Sequence, residues 1–202
     1  MSANNESHYE TDIIIELMEI YMNMILFGRE LYPPAIFRER KAYNIPVRVS
    51  IFKPLNEYME KTFLVARELK RQKKLSKVEL QVSKDETCDC LESYVFELED
   101  RDFTLETDEH LIELEEQIRK SLLNLNSQLK ALKKLPSNAT FRVLLHTTEA
   151  AFIRIENNPK LQKHPFVQQS TGARTAKCNI QLLPVSHTPT VGIQFYVEQY
   201  EG

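Results

Sequence analysis

TFRVLLHT at Thr140–Thr147, followed a few residues later by NNPKLQKHPFVQQSTGARTAKC at Asn157–Cys178, decides how the rest of the chain is read. In the first segment Phe141, Val143 and Leu145 alternate with Arg142 and Leu144, the period of a strand with one apolar face. The second segment has no usable period, and a run of that length is uncommon inside a compact domain. Strand-like alternation then resumes. Ile180 and Leu182 begin one strand, and Ile193, Phe195 and Val197 alternate with Gln194, Tyr196 and Glu198 in another. A long crossing over residues 157–202, anchored at its far end by a strand pair, is expected.

Upstream, Ile13–Leu31 is apolar nearly all the way round, and Glu16, Glu19 and Asn23 interrupt a run already short of the ~20 residues a bilayer needs. It reads as a helix buried on most sides, with residues 1–12 a disordered tail before it and Tyr32-Pro33-Pro34 ending it. Ile36, Phe37 and Tyr43 then pack a loop on the core. Pro54 suits the first turn of a second helix, with Leu55, Tyr58, Met59, Thr62, Phe63, Ala66 and Leu69 on one face. Its basic end, Lys70 to Lys74, reads as a solvated helix terminus or a nuclear-import address. Val78, Leu80, Val82 and Tyr94, Phe96, Leu98 form a hairpin. Leu111, Leu114, Ile118, Leu122, Leu125, Leu129 and Leu132 stripe a third helix, which Pro136 stops. The order implies one α+β domain, residues 13–202, with three helices covering one face of a mainly antiparallel sheet.

Composition narrows the function. With 202 residues, 42% of them apolar and 27% charged, the chain suits a soluble globular protein. A net charge of −3 gives no support to a phosphate-tracking surface, so no direct nucleic-acid contact is expected. Three cysteines and no charged-then-apolar leader fit an intracellular setting. Cys88 and Cys90 lack a second ligand pair at metal spacing. The five histidines form no H-E-x-x-H, and no P-loop, G-x-S-x-G or G-x-G-x-x-G is present. No catalytic residue, metal or cofactor is therefore assigned, and a thiol enzyme pairing Cys178 with His146 is the remote alternative.

ILFGRELYPPAIFRERKAYNIPVRVS at Ile25–Ser50, LNEY at Leu55–Tyr58, YVFEL at Tyr94–Leu98, FRVLLHTTEA at Phe141–Ala150, and QLLPV with QFYVE near the end resemble the HORMA-domain family. The match is nearest the branch serving as the non-catalytic subunit of DNA polymerase zeta. The resemblance implies three helices behind a sheet and a C-terminal safety belt that wraps a short partner peptide. It implies that Tyr58 and Phe166 line the peptide groove, Phe166 standing where the nearest relatives carry tryptophan. It implies that Leu182, Gln194 and Tyr196 receive the C-terminal domain of a deoxycytidyl transferase translesion polymerase, and that Arg119 serves HORMA dimerisation. The partners so implied are the zeta catalytic subunit, that second polymerase, a AAA+ remodelling enzyme and another HORMA protein, in the nucleus and also the cytoplasm. A spindle-checkpoint or meiotic-axis adaptor is the alternative. The residues themselves leave Tyr58 and Leu182 equally suited to core positions and Phe166 to pinning the loop. Gln194 and Tyr196 suit either a contact surface or plain exposure.

Overall fold

The computed structural model describes residues 3–84, 89–99, 108–159, 161, 168, 179–188 and 191–201. The elements are α1 (Ala3–Gly28), β1 (Phe37–Ala42), β2 (Ile45–Ser50), α2 (Lys53–Arg71), β3 (Lys77–Lys84), β4 (Asp89–Leu98), α3 (Asp108–Ala131), β5 (Ala139–His146), α4 (Glu149–Glu156), β6 (Asn179–Thr188) and β7 (Ile193–Glu201). Five strands form one antiparallel sheet in the order β5-β3-β4-β7-β6, and β1 and β2 form a separate hairpin. The C-terminal hairpin therefore joins the sheet at β4, and β5 is left at the opposite edge.

The expected α+β class holds, with four α-helices among the described residues rather than three. The main core lies between the helices and one sheet face. Ile14, Leu17, Met18, Tyr21, Ile25 and Leu26 of α1 share it with Leu55, Met59 and Phe63 of α2 and with Ile118, Leu122 and Leu125 of α3. The sheet contributes Val78, Leu80, Phe96 and Phe195 to the same cluster. Tyr21 lies against the rings of Phe96 and Phe195, 5.8 and 5.1 Å between centroids. Its hydroxyl bonds that of Ser121 on α3. Helix α1 is thus the pillar its composition suggests.

Several boundaries move. Helix α1 runs from Ala3 through the expected tail, and Glu10 and Thr11 are buried. The end of α1 comes before the prolines. Glu30 turns to φ 54°, Leu31 N–H donates to Leu26 O and Glu30 N–H to Phe27 O, a Schellman stop that needs no proline. The expected loop near Tyr43 is the β1–β2 hairpin, closed by Tyr43 and Asn44 at φ 49° and 62°, both left-handed as a two-residue I′ turn requires. At the β6–β7 turn Gly192 sits at φ 59°, and a Cβ there would stand 2.8 Å from Glu99 O. Only glycine fits that approach.

The second sheet face is polar yet closed. Glu79, Gln81, Ser83 and Ser93 are buried despite their alternation with the apolar core residues. Glu79 accepts from Gln81 Nε2 at 2.6 Å and from the Ser93 hydroxyl, and its other oxygen lies 2.9 Å from His146 Nε2. Partnering of this kind is what allows a fully buried carboxylate to persist.

Candidate functional site

An edge strand presents a row of unpaired backbone groups, and β5 is such an edge: among the described residues it pairs with β3 alone in the sheet. The Val143 N–H donates to the Tyr58 hydroxyl at 3.1 Å, so it does not enter the β3 ladder. Val143 faces Leu80, and its backbone groups therefore point outward. With the two-residue period of a strand, Phe141 and Leu145 also turn their N–H and C=O away from β3.

Aromatic rings frame this edge. Tyr58, on the second turn of α2, meets Phe141 edge-on at 5.8 Å. Tyr32 bridges Phe141 at 6.0 Å and Phe52 at 6.3 Å. Tyr58 and Phe52 are each 40% exposed, although Leu55, Met59 and Phe63 of the same helix are buried. Tyr58 therefore does not occupy a core position. Burial raises the pKa of the Tyr58 phenol, with Val143 and Thr62 partly offsetting it, so the hydroxyl stays protonated at neutral pH. The edge can accept an extended chain through its backbone while the rings contact side chains, the arrangement of β-strand addition.

The other residues fall elsewhere. Phe166 and Cys178 lie outside the described residues. In the β6–β7 register Leu182 stands opposite Glu198 and Pro184 opposite Tyr196, and Gln194 lies two residues before Tyr196 on the same strand face. These positions lie on the two strands remote from β5, Leu182 a diagonal step from Tyr196 and Gln194 farther along, opposite His187. Gln194 is exposed, and the half-buried Tyr196 donates its hydroxyl to Glu97 at 2.8 Å. Burial, then the Glu97 carboxylate, hold the Tyr196 phenol well above its ordinary range. Arg119 donates Nε to Tyr43 O at 3.1 Å and pairs with Glu115, which clips the β1–β2 turn to α3. His146 is occupied by Glu79. Lys70, within the basic run, is buried beside Glu10 and is no part of an exposed address.

Phe52 and Tyr32 join this frame without having been expected from the sequence. Their signal was an aromatic pair flanking Pro33 and Pro54, at both ends of the stretch read as a packed loop.

The structure sets a helical layer behind an antiparallel sheet whose C-terminal hairpin sits at one end and whose other end, β5, pairs with β3 alone among the described residues, and the HORMA domain model matches residues 11–153. The chain belongs to the HORMA domain family. Among curated relatives it is 36% identical to DNA polymerase zeta subunit 2 of Drosophila melanogaster over 95% of this chain and 98% of that protein. It is 31% identical to the human mitotic spindle assembly checkpoint protein MAD2B over 77% of this chain and 74% of that one. Its fold matches a chain of the mitotic checkpoint complex with TM-score 0.73 at 17% identity, covering 95% and 98% of the two chains. It also matches Caenorhabditis elegans HTP-2 bound to a HIM-3 closure motif, with TM-score 0.73 at 14% identity, over 97% and 91%.

Proposed function

We propose that this chain is an adaptor without chemistry of its own, which traps a short peptide of the catalytic subunit of DNA polymerase zeta along β5 and carries a second, deoxycytidyl transferase polymerase on β6–β7, in translesion synthesis in the nucleus. The observation that supports it best is the open β5 edge framed by Tyr58, on a sheet whose opposite end is filled by the C-terminal hairpin. The similarity to a polymerase zeta subunit supports this choice of partner. Residues 157–202 act as the belt in this reading. A belt that must open before release slows dissociation more than association. Relatives named for the spindle checkpoint favour a second reading, in which the same edge takes a checkpoint peptide.

The two surfaces separate by mutation. Tyr58→Ala with Phe166→Ala should weaken capture of the zeta peptide at least about tenfold, as loss of an interface aromatic commonly does, and leave the second polymerase bound to the peptide-free protein. Gln194→Ala with Tyr196→Ala should do the reverse. Arg119→Ala should lower self-association and touch neither. Equal capture by wild type and the groove variant in a titration removes the groove, and capture of only a checkpoint peptide selects the second reading.

A further inference from the structure

We infer that the Tyr58 hydroxyl is a built-in competitor for the edge it frames, holding the central N–H of β5 closed until a peptide displaces it. The inference rests on the adaptor reading of that edge. Tyr58 does two separable things. Its ring packs on Phe141, and its oxygen accepts the Val143 N–H. An incoming antiparallel strand needs that same N–H as the donor to one of its carbonyls, because directly opposed residues exchange both backbone bonds at hydrogen-bonded positions. One N–H cannot serve both acceptors in good geometry. Seating a strand at Val143 therefore requires the phenol to leave, and the flanking outward groups at Phe141 and Leu145 are where pairing can begin.

Such a cap also answers a liability. A flat unpaired edge templates association with any extended chain, and natural sheets blunt their edges. Here the blunting comes from one hydroxyl on a neighbouring helix and is reversible. The device is a filter on association, distinct from any grip the ring exerts on a bound peptide.

Tyr58→Phe isolates the oxygen, since it keeps the ring on Phe141 and deletes only the acceptor. In the peptide-free full-length chain the Val143 amide should exchange about two- to tenfold faster, the range that loss of one net hydrogen bond gives. Stopped-flow association with a synthetic peptide from the zeta catalytic subunit should accelerate by a similar factor, with the dissociation rate unchanged. Slower association, an unchanged association rate, or faster dissociation alone would overturn the cap, the last of these assigning the hydroxyl to gripping the bound peptide. An unaltered Val143 exchange rate would do so as well. If wild type captures neither this peptide nor a checkpoint peptide, the adaptor reading fails and the cap falls with it. Capture by wild type without acceleration in Tyr58→Phe removes the cap alone.

Discussion

Arg29→Ala is expected to destabilise the domain by about 3–5 kcal/mol, the cost of leaving a buried charge without its partner. It should appear as a lower urea midpoint with an unchanged slope. Arg29 and Glu92 are both buried, with side chains 4% and 3% exposed. The guanidinium forks onto the carboxylate, Nε to Oε2 at 2.9 Å and Nη2 to Oε1 at 2.7 Å. Its remaining donors reach Leu129 O in the last turn of α3 and Lys133 O just beyond the helix, and the Tyr94 hydroxyl donates to Glu92 at 2.8 Å. One side chain thus joins the ends of α1 and α3 to β4. Alanine would leave the Glu92 carboxylate with the Tyr94 hydroxyl but no charge partner, and would take this donor from the Leu129 and Lys133 carbonyls. Lysine cannot restore the fork, having a single point of charge. Arg29→Met with Glu92→Leu should be milder than either single change, because no charge is then left buried. A loss below about 1 kcal/mol for Arg29→Ala would contradict the role given to this pair.

Phe195→Ala should cost about 3–5 kcal/mol as well, by removing a fully buried ring from the core. Phe195 stacks on Phe96 at 4.3 Å and touches Tyr21. With Val191, Ile193 and Val197 it fastens β7, and so the C-terminal hairpin, to the core laid down by α1 and β4, and it is the largest of the four side chains. The effect should therefore be uneven. Amide exchange in β6 and β7 should rise more than in β3 or β5, because the lost contacts fasten the hairpin first. A uniform rise across the sheet would mean that the hairpin and the core unfold as one unit.

Periodicity made much of this fold legible. The stripes of α2 and α3 come from burial of one face, and the alternation in β3, β4, β5 and β7 comes from apolar side chains packing on one sheet face only; the buried residues at Leu114, Ile118, Leu122, Leu125 and Leu129 follow the stripe read from sequence, while Leu111 at its head is exposed. Strand β1 escaped because FRERKA buries only Phe37, so no alternation exists to be read, and its I′ turn uses Tyr43-Asn44 without a glycine. Helix α4 escaped because eight residues with two buried positions, Ala151 and Ile155, give too short a period; its one signal is Thr148, whose side chain caps Ala151 N–H. The buried Glu79 was invisible for a different reason. Polar residues alternating with apolar ones predict a wet face, and only three-dimensional partnering reveals a closed one.

The candidate site was readable as residue types and not as a place. Tyr58 could be marked on α2, but its companion Val143 is 85 residues away, and the edge they share exists only because β7 pairs with β4. Which strand ends a sheet is decided by topology, which local alternation does not encode. The resemblance implies that Leu182, Gln194 and Tyr196 share a surface; the β6–β7 register sets Leu182 a diagonal step from Tyr196 and leaves Gln194 farther along the hairpin, opposite His187.

The proposed function turns on a peptide pairing with β5. Residue-resolved hydrogen exchange of the full chain, with and without a synthetic peptide of the zeta catalytic subunit, tests it most directly. New protection is expected at the outward amides of Phe141 and Leu145, the Val143 amide exchanging its Tyr58 acceptor for a peptide carbonyl. Protection confined to β6 and β7, or to the β1–β2 hairpin, with the β5 amides unchanged while the peptide is bound, would contradict it.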